Sequence, residues 1–306
     1  MQESILPSMS VEDILACFSN GDRRYQRAAV DAALARREEI VPGLIKILET
    51  TLADPGKVIK DADNFSHLYA VMLLGHFREP RAHPVIMALA ALPGKTSDNL
   101  FSDIVTEDFG TIFQRTCNGS FDAIKNLVNN PQANVYCRLA AMESMTYGVA
   151  AGMLPRREAL DFLGGVLSAE IEKDASGTFI TYVVSYLGYL CPKELMDKIE
   201  QAYDNDLIDD YEVDFDEIEI AIAQGWEGCL QDIKAEMTYH SLDDIHAAME
   251  SWGCFKQPVF RGSVPAKTPS PKPFPALLNQ DPAASKAAKE KKAKRKAAEV
   301  ARKKNR

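Results

Sequence analysis

Between residues 23 and 239 the chain repeats one pattern, and that pattern restricts the fold more than any single motif. In "RRYQRAAVDAALARREEI" the apolar positions Ala28, Ala29, Ala32, Ala33 and Ala35 keep three-to-four spacing. A second stripe, Leu44, Ile47, Leu48 and Leu52, begins at once in "VPGLIKILETTLAD". Such spacing puts one apolar face on each of two helices, and the near absence of a connecting loop folds them into an antiparallel hairpin. The arrangement recurs: "NFSHLYAVMLLGHF" precedes "EPRAHPVIMALAAL", "TEDFGTIFQRTC" precedes "SFDAIKNLV", and "NVYCRLAAMESMTYG" precedes "PRREALDFLGGVL". Then "GTFITYVVSYLGYL" precedes "CPKELMDKIEQAY", and "VDFDEIEIAIAQG" precedes "GCLQDIKAEM".

The second helix of each pair is predicted to open near Pro42, Pro80, Ser120, Pro155, Pro192 and Gly228, at intervals of 38, 40, 35, 37 and 36 residues. Proline suits a first helical turn because its missing N–H has no partner to lose there, and serine is a favoured N-cap. Two helices per period in the upper thirties predict an all-α, HEAT-like helical-hairpin solenoid of about six pairs. No alternating apolar run is bounded by hairpin-turn dipeptides, so strands are not expected. Two units share wording, "YAVMLLGHFREP" and "YVVSYLGYLCP", with Leu74-Gly75 matching Leu187-Gly188. "SVEDILACF" and "SLDDIHAAMESW" read as flanking helices that cap the array.

Charge divides the chain where the helical pattern stops. Residues 1–254 hold 20 Lys and Arg against 41 Asp and Glu, net −21, whereas residues 283–306 hold 11 against 2, net +9. The expected organisation is a body over 1–255, a Pro-rich linker over 256–282 and a basic, Lys/Ala-rich, disordered tail over 283–306. The tail's cations include Lys291, Lys292, Lys294, Arg295, Lys296, Arg302, Lys303 and Lys304. A block of this kind suits a polyanion, such as nucleic acid or a ribosomal surface, or the chain's own acidic body. Val300 is its one sizeable apolar residue, so membrane insertion is not expected.

Six cysteines lie singly, with no CxxC, and "MQESILPSMSVEDIL" lacks the basic and apolar regions of a secretory leader. No run of about 18 apolar residues occurs. These features predict a cytoplasmic protein with reduced thiols.

The hairpin pattern, together with "FITYVVSYLGYLCPKELMDKIEQAYDNDLID" and the closing "SLDDIHAAMESWGCF", resembles the bacterial domain-of-unknown-function family numbered 1186, over about residues 8–255. The pieces that carry the resemblance are Pro192-Lys193-Glu194-Leu195, the acidic "DNDLIDD" after it, and Trp252-Gly253-Cys254-Phe255. It implies a HEAT-like fold without an established activity. Some members look fused to the zinc-binding motif that ends the SecA translocase, but this chain has no Cys or His after Phe255 to build one.

The densest local feature is "DNDLIDDYEVDFDEIE", residues 204–219, nine acids and no base. An EF-hand loop starting at Asp204 would need Gly sixth and Glu twelfth, where Asp209 and Phe215 stand. A cation site of another kind stays open beside two further readings. The run is a solvated inter-helix loop whose acids favour the next helix's N-terminus, or it docks a basic partner through Asp204, Asp206, Asp209, Asp210, Glu212, Asp214, Asp216 and Glu217. His67, His76 and His83 lie close in sequence but complete no metal-ligand set. Phe179, Tyr182, Tyr186 and Tyr189 keep helical spacing, which suits core packing first and, if their polar ends line a groove, peptide recognition. No nucleophile elbow, Cys–His set or phosphate loop is found, and no cofactor is expected. A catalytic role would require carboxylates or histidines gathered in a pocket. The expected function is therefore that of a non-enzymatic scaffold or adaptor that binds a protein or peptide, basic in character, along an acidic surface. The alternative is a nucleic-acid- or ribosome-associated factor tethered by the tail.

Overall fold

A computed structural model describes residues 9–20 and 23–255. The described residues are all-α, with no strand and a single antiparallel bridge, Pro93 to Ala133. The helices are α1 (Val11–Phe18), α2 (Arg27–Ala35), α3 (Arg37–Ala53), α4 (Pro55–Lys60), α5 (Ser66–His76), α6 (His83–Ala90), α7 (Thr96–Phe101) and α8 (Ile104–Glu107). They continue with α9 (Phe109–Thr116), α10 (Asp122–Val128), α11 (Val135–Ala150), α12 (Arg156–Glu172), α13 (Thr178–Tyr189), α14 (Met196–Asp204), α15 (Phe215–Tyr239) and α16 (Ile245–Met249).

Helices α3, α5, α9, α11, α13 and α15 pack each on the next, and α15 also reaches past α13 to α11. In addition, α6 packs on α3 and α10, α10 on α11, and α12 on α13 and α14. One hydrophobic core runs through these helices from Ile14 and Phe18 through Leu73, Phe113 and Met142 to Leu187 and Ile233, all essentially inaccessible to solvent.

Several boundaries differ from those the prolines predict. Pro42 lies inside α3, which starts at Arg37 because Arg36, at φ −126° and ψ 38°, breaks the preceding helix. Pro80 and Pro192 each introduce one turn of 3-10 helix before α6 and α14. Gly228 lies within α15, whose break is at Gly225 instead, with φ 73°. Glycine enters that left-handed region without a Cβ penalty. The matched wording of two units has a common backbone: Arg78 and Cys191, each three residues beyond the matching glycine, have φ 54° and 53°. Both N–H groups return to that glycine's carbonyl, at 3.1 and 3.0 Å.

The segment after α15 does not cap the last pair. It runs back across α9 and α5 to the first pair. Thr111 donates to the His240 carbonyl at 3.1 Å, His76 Nδ1 donates to the Leu242 carbonyl at 2.7 Å, and the buried Arg115 reaches Asp243 at 2.7 Å. His246 Nε2 donates to Asp31 at 3.0 Å, which leaves Nδ1 to accept from the Tyr25 hydroxyl at 2.8 Å. Phe255 closes the strap among the rings of Tyr25, Phe65, Tyr69 and Trp252. The linker 256–282 and the basic tail, with Lys291, Lys292, Lys294, Arg295, Lys296, Arg302, Lys303 and Lys304, lie outside the described residues.

Candidate functional site: an acidic tyrosine cavity

A cavity of about 320 Å³ opens where α8, α11, α13 and α15 meet. Each long helix gives it one stripe. From α11 come Tyr136, Leu139, Ala140, Glu143 and Tyr147, from α13 Tyr182, Tyr186 and Tyr189, and from α15 Ile233 and Glu236, with His240 just beyond. The spacings are three and four, so a single helical face supplies each set. The result is four glutamates (107, 143, 212 and 236) and five tyrosines on a wall that carries no Lys or Arg.

Tyr136 and Glu212 stand at the exposed rim, and the Tyr182 hydroxyl donates to Glu212 at 3.2 Å. Tyr147, Tyr186 and Tyr189 are buried further in. Glu143 is half-buried, with its side chain on the cavity wall. One of its oxygens, Oε1, accepts from the Tyr147 hydroxyl at 3.1 Å. The other, Oε2, lies over Gly110 of α9, where any Cβ would collide with it. A glycine on the facing helix is thus what makes room for the carboxylate.

The electrostatics follow from this enclosure. Burial pushes the Glu143 carboxyl up to about 8; the Tyr147 hydrogen bond opposes the shift, and the nearby Glu236, Glu107 and Asp108 add to it. Asp108, which opens α9, is pushed up to about 7 by burial and by Glu107. Glu107 and Glu236 are raised for the same reason. A buried carboxylate without a counter-charge takes up a proton rather than remain ionised. Burial holds His240 below the usual imidazole range, so it adds no cation at neutral pH. The phenols of Tyr147, Tyr186 and Tyr189 are shifted upward by burial and stay neutral.

Among the residues singled out from sequence, Tyr182, Tyr186, Tyr189 and Glu212 are brought to this cavity. Phe179 lies instead under the Arg138 guanidinium, 3.4 Å from its ring centre. Of the acidic run, Asp214 caps α15 by accepting the Asp216 N–H at 2.9 Å, and Asp216 and Glu217 occupy the first turn. Asp209 accepts the Tyr211 N–H at 3.0 Å, while its own N–H donates to Thr181. Asp204 ends α14, and Asp206 and Asp210 lie in the loop that follows. The histidines go to separate partners: His67 to the Leu100 carbonyl, His76 to that of Leu242 and His83 to the Thr116 hydroxyl. No group of three metal-ligating side chains is found among the described residues.

Sequence reasoning missed Glu143, Glu107, Asp108, Glu236 and His240. A signal existed for two stripes: in "YCRLAAMESMTY" and "IKAEMTYH" an acid occupies the same helical face as aromatic or aliphatic residues, the placement of an acid that folding buries. Glu107 and Asp108 sit in a short helix and its junction, where no periodicity marks them.

No helix among the described residues is long and apolar enough to cross a membrane. No solved structure matches the chain. An uncharacterized protein of Chlamydia muridarum is 32% identical over 245 residues, covering 80% of this chain and 97% of that protein. An uncharacterized protein of Chlamydia trachomatis is 30% identical over 246 residues, covering 80% of this chain and 96% of its own length. Both matches take in nearly all of the relative and leave about a fifth of this chain without a counterpart. The profile of the family described as proteins of unknown function (DUF1186) matches residues 9–256, and with these relatives it establishes that the chain belongs to that family.

Proposed function

We propose that the protein is a non-enzymatic binding module that recognises a basic protein or peptide segment, taking a cationic side chain of that segment into the acidic tyrosine cavity. The observation that carries this reading is a cavity wall with four glutamates and five tyrosines and no Lys or Arg to neutralise them. Aromatic faces attract an ammonium or guanidinium through the ring quadrupole, and a low-dielectric carboxylate gains most from such a charge. The body's net charge of −21 adds long-range attraction for basic partners and repels phosphate. The run 204–219 adjoins the mouth through Glu212, so its remaining acids extend the negative field around the entrance.

Catalysis would use the same raised carboxylates as proton donors. Yet the lining offers no Ser, Cys or Lys, and both of its threonines are engaged within their own helices: Thr146 donates to the Glu143 carbonyl at 2.7 Å and Thr106 to that of Asp103 at 3.2 Å. Binding requires only what is there.

The test is calorimetric titration of the full chain with a Lys/Arg-rich peptide and with its norleucine-substituted counterpart. The expected result is binding of the basic peptide alone, weakened at least about tenfold by Glu143→Gln with Glu236→Gln while the circular dichroism of the fold is unchanged. Equal binding to native and doubly substituted protein would refute the site. RNA in the purified protein that is lost on neutralising the tail would favour the alternative tethering role.

A further inference from the structure

The geometry points to an occupant for the cavity within the same molecule: we infer that the basic segment 283–306 folds back and places one of its lysine or arginine side chains among Glu143, Glu236 and the tyrosines, so that an external basic partner must displace it. The inference rests on the binding reading above and adds regulation to it.

Three observations support it. The first is chemical complementarity. The cavity wall holds Glu107, Glu143, Glu212 and Glu236 without a Lys or Arg, and the Tyr147 hydroxyl that bonds Glu143 is neutral. Residues 283–306 supply 11 Lys and Arg against 2 Glu, and Val300 is their one sizeable apolar residue. Such a segment offers charge and little else, and the cavity answers that offer.

The second is reach. Phe255, the last described residue, rests on Tyr69 of α5; α5 packs on α9, and α9 on α11, which carries Glu143. Two helix spacings of about 10 Å separate the helix under the strap's end from the helix that carries Glu143. The 28 residues from Phe255 to Ala283 can span up to about 90 Å when extended, so the tether is long enough without strain. Joined in this way, a segment competes at an effective concentration of about millimolar, which exceeds what a dilute partner attains.

The third is that the cavity belongs to the family body and the basic segment does not. The family profile ends at residue 256, and each chlamydial relative matches through almost its full length while about a fifth of this chain has no counterpart in it. A competitor appended to a pre-existing site is a simple way to make binding conditional.

The test uses the full chain and a fluorescent peptide with the sequence of residues 283–306. One protein is native, and a second carries Lys291→Gln, Lys292→Gln, Lys294→Gln, Arg295→Gln and Lys296→Gln, changes that leave the body untouched. The expected result is that the second protein binds the peptide at least about tenfold more tightly than the native one. Carbodiimide coupling of the native protein at high dilution should join tail lysines to Glu143, Glu212 or Glu236 within one chain. If both proteins bind the peptide equally and no such crosslink forms, the tail is not the occupant, and the cavity remains a site for external partners. If neither protein binds, the inference fails together with the binding reading on which it rests.

Discussion

Glu143 and Tyr147 stand one helical turn apart on α11, and the tyrosine hydroxyl donates to Glu143 Oε1 at 3.1 Å. This bond orients the carboxyl on the cavity wall, yet it leaves the carboxyl uncompensated, because neither member carries positive charge. Tyr186 and Tyr189 of α13, Glu236 and His240 at the end of α15 and Glu107 of α8 line the same cavity, Asp108 before α9 lies close by, and no Lys or Arg lines the cavity. A ligand's cation would supply the missing charge.

Stability should therefore depend on pH in a particular direction. Burial pushes the Glu143 carboxyl up to about 8 in the folded protein, above the usual 4.5 of a glutamate, so between these limits the folded state holds more protons than the unfolded state. Its contribution to stability falls as pH rises through that window, by on the order of a few kcal/mol once pH exceeds 8. Asp108, pushed up to about 7, acts in the same sense. Glu143→Gln removes one titration, and melting temperatures compared at pH 5 and pH 9 should differ less in the variant than in the native protein.

Gly110 and Gly165 make a matched pair. A Cβ at Gly110 collides with the Glu143 carboxylate, whereas one at the exposed Gly165 of α12 meets nothing within 4 Å. Gly110→Ala should destabilise by about 1–3 kcal/mol through overpacking, and it should also move Glu143 and weaken cation binding. Gly165→Ala should be neutral or stabilising by up to about 1 kcal/mol, since alanine costs less than glycine inside a helix. Denaturant melts of the two variants would show the contrast.

Ring and hydroxyl can be separated at Tyr186. If cation–π attraction contributes, Tyr186→Phe should preserve peptide affinity within about threefold, whereas Tyr186→Leu should lose about 0.5–2 kcal/mol. Calorimetric titration of both variants checks this, and equal losses would assign the contribution to the hydroxyl instead.

The returning strap should hold the first helices in place. Phe255, 8% exposed, contacts Tyr25, Phe65, Tyr69 and Trp252, and Phe255→Ala should cost about 3–5 kcal/mol. Hydrogen exchange should rise first around Tyr25 and in α5, while α11 and α13 keep their protection.

The helical class was legible because apolar residues recur at helical spacing through nearly every element, and even the shared bend after Gly75 and Gly188 left a trace in the wording of two units. Helix starts were less legible. Pro42 sits in a helix interior because the break falls earlier, at Arg36, and α15 breaks at Gly225 rather than at Gly228. The strap was misplaced as well: "SLDDIHAAMESW" is amphipathic wherever it lies, and only the contacts of Leu242, Asp243 and His246 fix it on distant helices. The cavity was half legible. Tyr182, Tyr186 and Tyr189 stand out as a stripe, whereas Glu143 reads as one more helix surface acid until α9 and α13 close over it.

The measurement closest to the central claim is the number of protons released when the cavity takes a cation. The full chain with its tail cations replaced by glutamine would be titrated with the 283–306 peptide at pH 7, in two buffers of different ionisation enthalpy. An arriving cation should drive the Glu143 proton off, so the account predicts release close to one proton per peptide bound, and none from the Glu143→Gln variant. Binding with no proton released from the native cavity would contradict the account, since the cation would then be held somewhere other than beside Glu143.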